Sequence, residues 1–252
     1  MVTQSPVLPW FSPKLSRSMA GVMHGLGHSV LFRRGEVIYQ TPGFFSKLMF
    51  VRRGLVVKAL TDAHHEDPLL ISIAGPGTLC GSYETLYLPD QMPRQHWCMT
   101  TTEVLVVNAE LLLRICDQNA VWQKELYSYS AACALSDRCG LLVNHSVDLE
   151  TRLGIFFILC ASQLDKSFSE GLTTPSVEWL GLSIPPSRRV AASLLNTSSD
   201  SIRSVLKLWR DNDVIRFRSH KLLLRREQFF IYWRAVNNLL GTQLSLNESV
   251  DR

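Results

Sequence analysis

The sequence predicts an α+β chain in three parts. Residues 1–108 form a β domain, residues 109–146 a long helix, and residues 147–252 a domain of short helices with a β-hairpin. Three observations predict this order. Up to residue 107 the chain breaks into short β-branched and aromatic runs parted by Gly and Pro. From Ala109 to Asn144 there is no Pro and a single Gly. Beyond Pro185, apolar residues recur at helical spacing while Lys and Arg accumulate.

In the first part, Val30–Phe32 and Val37–Tyr39 flank a turn at Arg34-Gly35-Glu36. Lys47–Val51 and Leu55–Leu60 flank Arg52-Arg53-Gly54, and Leu69–Ala74 ends at Gly75-Pro76-Gly77. His96–Val107 supplies two further strands. Short strands at this spacing, without intervening helices, point to a sandwich or barrel and against a doubly wound sheet.

In the second part, Trp122, Leu126, Tyr129, Cys133, Ser136, Gly140 and Val143 recur at alternating steps of four and three. That period of 3.5 residues is the seam of a helix packed on a partner helix. A helix packed on its own β domain has the same pattern. His145-Ser146-Val147-Asp148 ends the helix, and Ser146 or Asp148 caps the next one, through Leu153, Phe156, Phe157 and Cys160. Ser167–Ser176 reads as a loop.

In the third part, Pro185-Pro186-Ser187 starts a helix that Asn196–Ser199 interrupts. A second helix runs Asp200–Arg210, with Ile202, Val205, Leu206 and Trp209 as its apolar stripe. Val214–Phe217 and Leu222–Leu224 make a hairpin around Arg218-Ser219-His220-Lys221. Two helices joined by a short polar turn, then a basic hairpin, describe a winged helix-turn-helix.

Charge fits that reading. Leu180–Arg234 holds 11 Lys+Arg against 4 Asp+Glu, a local +7, while the remainder holds 15 against 18. Such asymmetry suggests that the C-terminal third meets a polyanion, here double-stranded DNA. The second helix suits the major groove. Arg203 is the candidate base reader and Lys207 a candidate phosphate contact, with Ser199, Asp200 and Ser204 on the same face. N–H groups at Ser198–Ser201 suit a phosphate at the helix start. Arg216, Arg218 and Lys221 on the wing are expected to hold the backbone.

The order of these parts resembles the Crp/Fnr superfamily, the cyclic-AMP receptor protein-like transcription regulators. The likeness covers about residues 25–226 and rests on Arg34–Tyr39, Leu48–Gly54, Gly75–Gly81 and Asn196–Ile215. It implies a β-roll of the cyclic-nucleotide-binding jelly-roll type, a homodimer formed along the long helix, and a near-palindromic operator. RNA polymerase is a further candidate partner. The dimer interface would then be Trp122, Leu126, Tyr129, Cys133, Gly140 and Val143. The C-terminal half also looks similar to an enterobacterial branch called inhibitor of hydrogen peroxide resistance, with Asn119-Ala120-Val121-Trp122 part of that likeness.

Departures from the family carry information too. Cyclic-nucleotide members place Gly-Glu-Leu after the Pro-Gly turn, the Glu taking the ribose hydroxyl. Here Gly81 is followed by Ser82-Tyr83, and Glu84 comes two places late. Arg94 stands for the phosphate-binding Arg but is followed by Gln95 rather than Ser or Thr. Cyclic AMP is therefore not expected as effector, and any replacement is expected to meet Leu79, Ser82, Tyr83 and Arg94. The Cys cluster of the iron–sulfur members has no counterpart before Cys80, and no residue matches the haem-sensing ligand. The family's base-reading Glu and Arg positions fall on Asp200 and Ser204, so the operator should differ from the usual half-site.

Other chemistry finds little support. His64-His65-Glu66-Asp67 reads as a hairpin turn rather than a metal site, and no cofactor is implied. No C-x-x-C, G-x-S-x-G, H-E-x-x-H or phosphate-binding Gly loop argues for an enzyme. No apolar run approaches the roughly 20 residues of a bilayer span, and residues 1–13 lack a signal-peptide pattern, so a reduced, cytoplasmic protein without membrane contact is expected. Two competing classes are an adaptor whose winged helix docks on protein and a β-roll enzyme.

Overall fold

The computed structural model describes residues 7–41, 47–61, 67–81, 83, 86, 92–183, 185–218 and 221–240. The chain divides into two compact units, Met1–Arg138 and Cys139–Arg252. The long helix read as a separate part is shared between them.

The first unit begins with α1 (Arg17–Leu26), then β1 (His28–Phe32), β2 (Val37–Gln40), β3 (Lys47–Arg53), β4 (Val56–Leu60), β5 (Leu69–Ala74), β6 (Leu79–Gly81), β7 (Arg94–Cys98) and β8 (Thr102–Asn108). These pair antiparallel into two four-stranded sheets, ordered β1-β8-β3-β6 and β2-β7-β4-β5. The predicted jelly roll is thus formed. Strand β3 reads as continuously apolar because both its faces are covered. Met49 and Val51 enter the core shared with Val56 and Cys98. Leu48 and Phe50 enter a second core with α1, α2 (Ala109–Asp117) and α3 (Ala120–Ser146).

Two features of this unit differ from the expectation. The helix predicted from Ala109 is broken at Gln118-Asn119, because the Asn119 carboxamide accepts the N–H groups of Val121 (3.0 Å) and Trp122 (3.3 Å), an N-cap inside an apolar stretch. Before β1, where no element was read, Ser16 caps α1 by accepting the Met19 N–H, and Met19 and Met23 are buried. The segment preceding α1 is ordered against the roll. Phe11 bridges to Ile73, and Ser136 Oγ on α3 lies 2.5 Å from Leu8 O and 2.6 Å from Phe11 O.

The second unit takes the end of α3, then α4 (Leu149–Leu164), α5 (Lys166–Thr173), β9 (Trp179–Leu182), α6 (Arg188–Leu194), α7 (Ser199–Asp211), β10 (Ile215–Arg218), β11 (Lys221–Arg225) and α8 (Arg226–Leu240). Asp148 caps α4 through the Thr151 N–H, as expected. The loop read over Ser167–Ser176 is mostly helix, because Asp165 caps α5 and Phe168 and Leu172 bury one side of it. Helix α4 is apolar almost all round and is buried along most of its length. Its Gly154 is required: a Cβ there would lie 2.2 Å from the Tyr232 ring of α8.

Candidate nucleic-acid interface and effector cavity

Helices α6 and α7 are joined by Leu195–Ser198, and the local chemistry closes the turn. Asn196 adopts φ 50°, a left-handed conformation that Asn tolerates. Thr197 N–H donates to Ala192 O at 2.9 Å. Arg152 Nη1 donates to Leu195 O (3.0 Å) and Asn144 O (2.8 Å), while Asn144 Nδ2 donates to Leu194 O (3.0 Å). Ser198 caps α7 by accepting the Ser201 N–H at 3.0 Å, which removes that donor from those expected to hold a phosphate.

The apolar side of α7 is anchored firmly. Trp209 is buried among Phe157, Phe229 and Tyr232, and its indole N–H donates to Glu150 Oε1 at 2.8 Å. The Tyr232 hydroxyl donates to the same oxygen. Burial and then this carboxylate push the Tyr232 phenol far up, so it stays a donor. The other side of α7 is open. Ser199, Asp200, Arg203, Ser204 and Lys207 are all exposed. Arg203 Nη1 sits 3.5 Å from Asp200 Oδ1, a loose surface pair that a base edge can displace.

The wing contains β10, β11 and β9 in that order. Arg216, expected to hold the duplex backbone, is exposed but engaged within its own unit. Its Nε and Nη2 donate to Asp213 at 2.5 and 2.6 Å, and its guanidinium lies 4.3 Å from the Trp179 ring centroid. Arg225 also donates to Asp213 Oδ2 (2.6 Å) and lies over Trp179 at 5.0 Å. The Arg216 hydrogen bonds hold the Asp213 carboxyl below its ordinary range. Arg218 and Lys221 remain exposed at the hairpin end. Ser219 and His220 lie outside the described residues.

The first unit contains a cavity of about 360 Å³, lined by Lys58, Tyr83, Arg94, His96, Cys133 and Asp137 among others. Lys58 is 3% exposed and Arg94 5%. Lys58 Nζ donates to the Tyr83 hydroxyl and lies 3.4 Å from Ser12 Oγ. Across the sheet Tyr39 pairs with His96, His96 with Lys58, and Lys58 with Ser72, making a buried polar row on four strands. His96 Nδ1 accepts the Gly81 N–H at 3.2 Å. Of the residues expected to line a pocket, Tyr83 and Arg94 do so. Leu79 lies instead in the helix-side core, with its N–H donated to Tyr129 Oη at 2.8 Å. Ser82 and Glu84 lie outside the described residues, as do His64, His65 and Glu66. Among the described residues no three His, Cys, Asp or Glu side chains gather as metal ligands, and no helix is long and apolar enough to cross a membrane.

Comparison with solved structures identifies this architecture. FixK2 from Bradyrhizobium japonicum superposes with a TM-score of 0.60 at 14% identity, over 82% of this chain and 97% of that one. A protein assigned to the Crp/Fnr family of transcriptional regulators, from Eubacterium rectale, gives 0.61 at 13% identity over 87% and 95%. CLP from Xanthomonas campestris, a c-di-GMP responsive global regulator, gives 0.57 at 14% identity over 83% and 99%. The fold is the Crp/Fnr fold. No protein-family model matches the chain, and no curated protein matches it in sequence.

Within this Crp/Fnr fold, the seam read as a dimer interface is turned inward. Leu126, Tyr129 and Cys133 lie in the helix-side core of the first unit, with Trp122 packed against it. Gly140 and Val143 are buried as well. The physical reason is that a 3.5-residue stripe fits a sheet as well as a second helix, and in the first unit the chain's own roll takes Trp122, Leu126, Tyr129 and Cys133. The apolar side chains that α3 leaves exposed are Val121, Tyr127, Leu135, Leu141 and Leu142. Cys133 is therefore not placed to pair between chains, and burial raises its thiol. Burial likewise pushes Cys80 up to about 12 and Cys116 to about 11, which makes both inert near neutrality.

Sequence reasoning missed Lys58 and His96 in the cavity and α8 packed behind α7. A signal for the first was present: Val56-Val57-Lys58-Ala59-Leu60 puts a lone cation inside an apolar strand. The alternation Phe229, Tyr232, Trp233, Val236 was the corresponding signal for α8.

Proposed function

We propose that the chain is a cytoplasmic, homodimeric, sequence-specific regulator of transcription that binds duplex DNA through α7 and the wing. The observation that carries this reading is the division of α7: Ile202 and Trp209 are buried, while Asp200, Arg203, Ser204 and Lys207 form an exposed polar face beside a basic hairpin. The Crp/Fnr fold supports it, since the compared proteins include regulators. The two-fold contact runs along the exposed face of α3, through Val121, Leu135 and Leu142, which repeat at heptad spacing. RNA polymerase is the partner through which such a protein acts. The narrower likeness to the inhibitor of hydrogen peroxide resistance branch rests on Asn119–Trp122, where Asn119 caps α3 and the Trp122 indole donates to Ser18 Oγ at 3.0 Å.

Cyclic AMP is not the effector, because Ser82-Tyr83 replaces the ribose-binding Glu-Leu. An effector enters the cavity of the first unit, whose described lining carries two cations, Lys58 and Arg94, against one carboxylate, Asp137.

Genome-wide mapping of bound DNA supplies the operator. Titration of that duplex and a scrambled one at several salt concentrations then tests the assignment. Arg203→Ala is expected to weaken operator binding by about 10- to 100-fold and spare the scrambled duplex. Lys207→Ala is expected to weaken both equally and lower the salt slope by about one per protomer. Unchanged binding by both variants refutes α7 as the recognition helix.

A further inference from the structure

The wing sheet has two faces, and one residue on it is out of place. Ile215, Leu222, Leu224, Leu180 and Leu182 share the face toward the helices, and all are buried. Phe217 occupies the same face, directly opposite Leu222, yet it is 70% exposed. The apolar position nearest the end of the hairpin is thus left uncovered. No other Phe among the described residues is exposed to this degree.

The hairpin cannot easily fold this side chain away. Asp213 binds both Arg216 and Arg225, and both guanidiniums lie over Trp179, so the residues around Phe217 are fixed from the opposite face. Arg218 follows Phe217 and pairs with Lys221, so two exposed cations stand next to it at the hairpin end, on the opposite face of the sheet. Burying the ring against a partner gains about 25 cal/mol per Å² of apolar surface, and the neighbouring cations favour a polyanionic one.

We infer that Phe217 is a wedge that enters the minor groove beside each recognition half-site and partly unstacks a base step, while Arg218 and Lys221 hold the flanking phosphates. Apolar side chains inserted in this way kink the duplex and prefer steps that deform easily. This inference rests on the DNA-binding reading above and adds to it a second determinant of sequence preference, one that acts through deformability instead of base-edge hydrogen bonds. Arg216 has a different role: with Asp213, Arg225 and Trp179 it positions the wing.

The experiment uses the full chain and duplexes enriched from a random pool by the wild-type protein, with 2-aminopurine placed at successive positions. Wild-type binding is expected to raise 2-aminopurine fluorescence at one step on the outer side of each half-site. Phe217→Ala should abolish that rise and weaken binding by about tenfold, with an unchanged salt slope because no charge is lost. Phe217→Leu should keep part of the rise, and Arg218→Ala should lower the slope by about one while keeping the rise. Because Phe217 is exposed, all variants should melt with the wild type. The wedge is overturned if Phe217→Ala binds the enriched duplexes like the wild type, or if it changes only the oligomeric state, which would make Phe217 a protein contact. If the wild type enriches no duplex and shows no salt-dependent binding, the DNA-binding reading itself fails, and the wedge with it.

Discussion

The two units treat polar side chains in opposite ways. Among the described residues the first buries Lys58, Arg94 and His96 together with Ser12, Ser72, Thr78, Thr100, Thr102 and Ser136, whereas the second buries only Thr151 and Ser169 as polar residues. The second instead displays Arg203, Lys207, Arg218 and Lys221 outside a helical core that is almost wholly apolar. Burying a charge costs stability unless something compensates it. In the roll the cations line a cavity, which is where the effector proposed above would meet them. A helical unit that keeps them outside is arranged around something it meets.

The sharpest way to break this contrast is to put a charge where the roll is dry. Leu126→Asp places a carboxylate in the helix-side core and is expected to cost about 4 kcal/mol, seen as loss of the cooperative melt of the first unit by calorimetry. Leu135→Asp, on the exposed side of α3, should leave that melt unchanged and convert a dimer to a monomer in light scattering. A Leu126→Asp protein that stays folded while Leu135→Asp has no effect on mass would return the dimer contact to the seam. In the second unit the corresponding test is steric. Gly154→Ala forces a methyl group against Tyr232, and overpacking of this kind costs about 2–3 kcal/mol. Urea denaturation should show the loss in the second unit alone. The smallest effect is the most telling. Replacing Lys58 by Met keeps the length and removes the buried cation, so stability should change by less than about 1 kcal/mol or rise. A loss of several kcal/mol would mean that Lys58 braces the roll and is not kept for a ligand.

How far the sequence could be read follows from the same contrast. The strands of the roll were legible because Gly and Pro punctuate them, and α7 because Ser198, its apolar stripe and Asn212 mark its beginning, face and end. The cavity was only half legible. Tyr83 and Arg94 were found by analogy, while Lys58, a lone cation in an apolar strand, joins its polar row only through cross-strand pairing that spacing along the chain does not report. The face of α3 was misjudged because spacing reports which side is apolar and not what covers it. The partners of Arg216 were not legible because a one-dimensional reading cannot bring Asp213 and Trp179 to the same guanidinium.

The link between Ser136 and the carbonyls of Leu8 and Phe11 joins residues 128 and 125 positions apart. The segment around Leu8 and Phe11 is made well before its partner on α3, so this link can form only late in synthesis. At about 5–20 residues per second, the apolar stretch around Trp10 and Phe11 spends several seconds uncovered, with only the incomplete roll to shield it. Closure of the roll against α3 is therefore a later event than the pairing of its strands, all of which precede α3 in the chain.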